Sequence, residues 1–169
     1  LLSPQIGLLT HIEDIRAVIR FNELENFILV GHSYGGMVIT GVADRVGEKI
    51  RHIAYLDAAL PQDGVAMQPF PPEFLGIPKD HPGHAWVGRH MTAHPLKTWL
   101  DPIALSNGGS AGLSRTYIHC NAPVLPSASF AWHHAQLSKD PGWNSLTLVT
   151  GHDAMVTAPD PLVDILWSL

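Results

Sequence analysis

Gly31-His32-Ser33-Tyr34-Gly35 directly follows the apolar run Phe27-Ile28-Leu29-Val30 and directly precedes a helix-like stretch from Gly36 to Val46. The order is strand, sharp turn, helix, with a serine at the apex. A nucleophile held at so tight a turn has strained backbone angles, and glycines on either side avoid a clash with the strand or the helix. The bare pattern arises by chance in roughly one chain of this length in twenty, so its setting carries the argument. β-formers before it and helical periodicity after it are the setting that nucleophilic serine chemistry requires.

A serine hydroxyl that keeps its proton is a poor nucleophile near neutral pH, so a base must stand beside it. Eleven histidines are available, and position selects among them. His152 lies in Gly151-His152-Asp153, between the last expected strand and the last expected helix. In a parallel sheet that loop opens on the same carboxyl edge as the serine turn, which puts His152 within reach of Ser33. The third member should be a carboxylate that orients the imidazole and stabilises its protonated form. The loop after the strand ending near Cys120 reads Asn121-Ala122-Pro123 and holds no acid. The run Tyr55-Leu56-Asp57, which ends the strand after the serine's helix, makes Asp57 the first choice, with Asp153 and Asp101 as substitutes. An aspartate closing an apolar strand is costly to bury unless it is paired.

The remaining histidines invite simpler readings. His81, His84, His90 and His94 fall in a proline-rich stretch with neither a cysteine nor a helical frame, and read as a polar lid rather than a zinc site. No metal or other cofactor is expected. His32 should pack beside the turn, and His133-His134 should lie on a helix near the lid.

The elements that must position these groups follow from periodicity. Thr10-His11-Ile12-Glu13 reads as a capping box, and Ile12, Ile15, Val18 and Ile19 continue at helical spacing to about Asn22. After the serine turn, Met37, Val38, Val42 and Val46 mark one face of a second helix ending near Gly47. Ile50 to Asp57 reads as a buried strand, Arg115 to Cys120 as another, Phe130 to Leu137 as a helix, and Ser145 to Thr150 as a strand. A last helix starts at Pro159 with Leu162, Val163, Leu166 and Leu169 on its apolar side. Such alternation predicts an α/β fold with a parallel sheet covered by helices. Leu60 to Gly112 breaks the rhythm and holds eight of the fourteen prolines. The division expected is a core of residues 1–59 and 113–169 with a lid inserted at 60–112.

Composition sets the outer bounds. A chain of 169 residues with 46% hydrophobic content can form one domain with a real core. A net charge of −5 provides no basic stripe, so neither nucleic acid nor an anionic membrane is an expected partner. The single Cys120 cannot form an internal disulfide, and no segment reaches the roughly 18 apolar residues of a membrane span. A reduced, cytoplasmic location is the default expectation.

These pieces support a family resemblance. From Leu2 onward the chain resembles an α/β-hydrolase of the esterase and hydroxynitrile-lyase branch. The resemblance rests on Thr10 to Ile15, Val30 to Val38, Tyr55-Leu56-Asp57-Ala58 and Gly151-His152-Asp153-Ala154-Met155, in the order nucleophile first and histidine last. Many members of that branch carry their acid after the last-but-one strand, near Asn121 or Pro123 here. This chain is more similar to the subgroup, best known among haloalkane dehalogenases, whose acid follows the strand after the nucleophile helix. Those enzymes use an aspartate nucleophile, so Ser33 argues against dehalogenation.

The resemblance also implies strands ahead of the helix at Thr10, about sixty residues by the usual size of such domains. One of their loops supplies the second N–H of the oxyanion hole; the first is the backbone N–H of Tyr34. The fold expected is therefore a parallel-sheet α/β-hydrolase fold with an inserted lid, N-terminally incomplete, and the sequence reads as a piece of a longer protein. Taken alone, the strand Phe27 to Val30 would lie at a sheet edge that a second copy could cover, giving a homodimer.

Three functions compete at this point. The leading one is hydrolysis of small carboxylic esters on Ser33, His152 and Asp57 through an acyl-enzyme. A lid with Trp86, Trp99, Phe70 and Phe74 suggests a moderately apolar pocket, with His32, Trp86 and Trp99 as substrate contacts. A cyanohydrin-cleaving lyase would use the same triad, but similar plant lyases carry a lysine after the histidine, where Asp153 here would repel an anion. The third is a binding or partner domain that keeps the fold without catalysis.

Overall fold

The computed structural model describes residues 3–67, 77–123 and 128–169. Its elements are α1 (Leu8–Phe21), β1 (Phe27–His32), α2 (Gly35–Val46), β2 (Ile50–Leu56), α3 (His84–His90), α4 (Leu96–Leu100), β3 (Arg115–Cys120), α5 (Ala128–Leu137), β4 (Asn144–Leu148), α6 (Ala154–Thr157) and α7 (Pro159–Trp167). The four strands form one sheet in the order β1-β2-β3-β4, all neighbours parallel. This is the parallel α/β architecture expected from the alternating apolar runs.

Register decides what meets at the sheet's carboxyl rim. His32 pairs with Leu56, Leu56 with Ile118, and Cys120 with Leu148, so the chain leaves all four strands along one edge. Pairing continues one residue beyond the strands: Ser33 N–H donates to the Leu56 carbonyl (3.2 Å), Asp57 N–H to Ile118 (2.7 Å) and Asn121 N–H to Leu148 (3.2 Å). Ser33 and Asp57 are thereby first residues out of adjacent strands.

Alternation along the strands sends side chains to two cores. Ile53, Tyr55 and Tyr117 pack with Ile39 and Ala43 of α2 on one face. Leu56, Ile118, Cys120 and Leu148 pack with Leu162 of α7 on the other. A third cluster joins Leu8, Ile12 and Ile19 of α1 to Met37, Val38 and Val42 of α2 and to Ile103. Every residue of α2 from Gly36 to Asp44 is buried, because α1, the sheet and the segment from Ile103 to Gly109 pack around the helix.

Several boundaries differ from the sequence reading. α1 starts at Leu8, two residues before Thr10, which is not its cap: the Thr10 hydroxyl accepts from Gly7 N–H (3.2 Å). The carboxylate of Asp101, far along the chain, accepts from Leu8 N–H (3.2 Å), and Glu13 pairs with Arg16 instead of reaching back. α7 buries Leu162 and packs Ile165 and Leu166, whereas Val163 is exposed, so its apolar face is rotated from the one read by spacing. His133 and His134 do sit on a helix, α5, but its partners are the strands: His134 bonds Ser145 and Thr147 of β4, and the His133 ring meets Tyr117 of β3.

Among its described residues the segment 60–112 holds the short helices α3 and α4, and carboxylates hold it at several points. Asp44 of α2 accepts from the N–H groups of Ser106 (3.0 Å), Asn107 (2.7 Å) and Gly109 (2.9 Å). Asp63 accepts from Leu105 N–H (2.8 Å). Phe70 and Phe74 lie outside the described residues. Among the described residues β1 pairs only with β2 and lies at an edge of the described sheet; Val30 is 40% exposed there. A groove of about 350 Å³, lined by His11, Ile15, Leu29, Val30, Gly31 and Val38 among others, runs along that edge. Among the described residues no helix is long and apolar enough to cross a membrane.

Candidate active site

Ser33 occupies the apex of the turn between β1 and α2 with φ of 55°, a left-handed conformation that few non-glycine residues adopt. The turn is held from both sides: the Ser33 carbonyl accepts from Gly36 N–H (3.1 Å) and from Ala59 N–H (3.0 Å). A Cβ at Gly31 would lie 2.7 Å from the Gly35 carbonyl oxygen, so that glycine is sterically required. The second requirement falls one residue later than the pattern suggested. A Cβ on Gly35 would meet nothing within 4 Å, whereas one on Gly36 would lie 2.0 Å from the Ala59 carbonyl oxygen.

Asp57 also has positive φ, 40°, and is 0% exposed. A non-glycine residue persists in such a conformation only where its surroundings over-determine it. Here they do. Its Oδ2 accepts from His152 Nδ1 (2.7 Å), and its Oδ1 from His119 Nδ1 (3.0 Å) and Cys120 N–H (3.2 Å). A carboxylate can only accept, so each imidazole carries a proton on Nδ1. In neutral His152 that leaves Nε2 as the ring's lone-pair nitrogen.

His152 is seated by rings. His32 Nε2–H donates to the His152 carbonyl (2.9 Å), and the two imidazole centroids are 4.3 Å apart. Phe130 of α5 stacks nearly parallel, 5.6 Å away at 8°. Burial, then the neighbouring His152, lower the His32 pKa to about 4, so His32 is neutral at pH 7. Burial and then the Asp57 charge push the Cys120 thiol up to about 12 and the Tyr117 phenol upward as well. Tyr117 donates instead to the Ala58 carbonyl (3.0 Å), which fixes the segment after Asp57.

The structure thus brings Ser33, Asp57 and His152 to one rim and joins the last two by a direct hydrogen bond. Tyr34 follows Ser33 at the start of α2; its phenol bonds His11 Nδ1 (3.1 Å), and its ring meets His94 (4.6 Å) and Trp99 (5.8 Å). Trp99 therefore stands beside the serine turn, while Trp86 is 57% exposed on α3 and stacks on His90. His32 packs on His152. Among the substitute acids, Asp101 caps α1 and Asp153 precedes α6. His84 Nδ1 bonds the Ile77 carbonyl and His90 Nδ1 the Trp86 carbonyl. Among the described residues no group of three or more His, Cys, Asp or Glu could hold a metal ion.

Sequence reasoning missed His119, Phe130, His11 and His94. The first had a readable signal, a histidine one residue short of the end of the strand beside Asp57, but its contact depends on register. Phe130, His11 and His94 had none, since each reaches the site only through tertiary packing.

Comparisons with known proteins bear on the family and the fold. The alpha/beta hydrolase family model matches residues 4–165. A carbendazim-hydrolysing esterase of Nocardioides sp. (strain SG-4G) is 34% identical over 199 residues, covering 99% of this chain and 81% of that protein. An extracellular alpha/beta-hydrolase from a Paenibacillus species superimposes with a TM-score of 0.80 at 18% identity, covering 98% of this chain and 81% of its own. A methylesterase from Arabidopsis does so with a TM-score of 0.73 at 17% identity, covering 96% and 77%. The chain belongs to the alpha/beta hydrolase family and is a carboxylesterase-like hydrolase.

Proposed function

We propose that the chain hydrolyses small carboxylic esters with Ser33 as nucleophile, His152 as general base and acid, and Asp57 as the orienting carboxylate. The observation that carries the reading is the 2.7 Å bond from His152 Nδ1 to Asp57 beside the strained Ser33 turn. Ser33 Oγ attacks the ester carbonyl carbon while His152 Nε2 takes its proton. The tetrahedral oxyanion is stabilised by the backbone N–H of Tyr34, and Asp57 stabilises the imidazolium. Collapse breaks the carbon–oxygen bond, and His152 returns the proton to the departing alcohol. Water, deprotonated by the same Nε2, then attacks the acyl-serine, and the acid leaves as Ser33 recovers its proton.

Trp99, with Tyr34 and His94, forms a wall beside the serine turn that suits an apolar acyl or alcohol group. Trp86 and His32 are weaker substrate contacts, the first for its exposure on α3 and the second because its ring is engaged with His152.

The test is hydrolysis of a short-chain p-nitrophenyl ester. Turnover should vanish in Ser33→Ala and in His152→Ala, and Asp57→Asn should keep the fold yet lose roughly 10,000-fold. Near-normal turnover in Asp57→Asn would remove that residue from its role; undiminished turnover in Ser33→Ala would end the esterase reading.

A further inference from the structure

The orienting carboxylate has a second imidazole on it. Asp57 Oδ1 receives His119 Nδ1–H at 3.0 Å and the Cys120 N–H at 3.2 Å, both from the end of β3. That strand end holds no acid of its own; it offers two donors to the acid of its neighbour. The His119 side chain is almost fully enclosed and lies flat against His134 of α5, centroids 5.2 Å apart at 28°. His134 is in turn held by Ser145 Oγ (2.8 Å) and Thr147 Oγ1 (3.2 Å) of β4. The chain of contacts runs from the buried His152, Asp57 and His119 to the half-buried His134 and then to two hydroxyls nearer the surface.

We propose that His119 is a positioning residue of the hydrolytic site, acting through Asp57 to fix the plane of its carboxylate and to moderate its pull on His152. The inference rests on the esterase reading above. An acid with only one side-chain partner could turn about its last bond and offer His152 either oxygen; a donor on Oδ1 leaves Oδ2 for His152 alone. The same donor stabilises the ionised carboxylate, so Asp57 draws less strongly on the His152 N–H than it would unassisted. Facing His119 are Asp57 from the end of β2, His134 from α5, and His152 from the loop after β4 by way of Asp57. Burial, then His119 itself, lower the pKa of His134, which disfavours a charge on that ring.

The experiment compares wild type, Ser33→Ala, His119→Leu and His119→Asn on a p-nitrophenyl ester from pH 4 to 9. The asparagine amide nitrogen takes the place of Nδ1 and can still donate. In His119→Leu, kcat should fall roughly 10- to 100-fold, as for lost outer-shell partners. The acid limb of its kcat/KM profile should also move upward by about half a pH unit or more, because an unassisted Asp57 raises the proton affinity of His152. His119→Asn should recover most of kcat and the wild-type acid limb. An unmoved limb and wild-type kcat in the leucine variant, or no recovery in the asparagine variant, would overturn the proposal. Should the leucine variant not fold, histidine ¹⁵N spectra of the wild type at pH 8 decide: His119 protonated on Nδ1 supports it, and on Nε2 overturns it. Loss of all turnover in Ser33→Ala together with indifferent His119 variants would leave the esterase reading standing and refute only this inference.

Discussion

Asp57 is enclosed completely and accepts three hydrogen bonds, and this satisfies the condition that an aspartate at the end of an apolar strand must have partners. That much was legible from the sequence, since one carboxylate stood at a strand end while Asn121-Ala122-Pro123 offered none. His119 was not legible as its partner, because the contact depends on β2 and β3 pairing Leu56 with Ile118, which the composition of neither strand reveals. At the same scale His32 makes stability depend on pH. Its unfolded pKa is near 6.5 and its folded value about 4, so between them the unfolded chain holds more protons. Stability therefore rises with pH across that window and is lost as pH falls. In His32→Gln, whose amide can still donate to the His152 carbonyl, the slope of unfolding free energy against pH should be smaller by about 1.4 kcal/mol per pH unit. Urea unfolding from pH 4 to 6.5 measures this, and an unchanged slope would show that His32 does not titrate in the window.

At the scale of elements, β1, the serine turn and α2 form one unit whose tolerance of side chains is uneven. Gly35→Ala places a methyl group in open space and removes backbone freedom from the unfolded chain, so it should change stability by less than about 1 kcal/mol, in the stabilising direction. Gly36→Ala drives a Cβ into the Ala59 backbone and should cost about 3 kcal/mol or more. Denaturant midpoints of the two variants check the contrast, and equal losses would contradict it. The existence and type of β1, α2, β2, β3 and α7 could be read from period and punctuation. The start of α1 could not, since its cap comes from Asp101, 93 residues away. The apolar face of α7 was misread for a related reason: Ile165, not Val163, turns toward the sheet, and spacing alone does not say where the sheet lies.

Across the whole molecule, α2 and the segment around residues 106–109 are joined through a buried charge. Asp44 is 5% exposed, and burial alone would raise its pKa; the donors from Gly109, Asn107 and Ser106 outweigh that and lower it. A carboxylate held below its ordinary value contributes stability that is present above the unfolded pKa and lost as pH falls through the folded one. Asp44→Asn turns an amide N–H₂ toward backbone donors and should cost about 2–3 kcal/mol. Limited proteolysis should then cut the segment 101–112 faster than in wild type, and an unaltered cleavage pattern would show that Asp44 does not fasten that segment. The break in alternation between Leu60 and Gly112 is legible in the sequence, but the attachment of this segment is not: Asp44 reads locally as an ordinary helix residue beside Arg45.

In the proposed reaction Ser33 is a nucleophile made reactive by His152. Intact-mass analysis after exposure to a fluorophosphonate, followed by peptide mapping, tests it most directly. One adduct per chain located on Ser33, absent in both Ser33→Ala and His152→Ala, is the predicted result; an unmodified wild-type chain, or labelling of Ser33 that persists in folded His152→Ala at the wild-type rate, would contradict it.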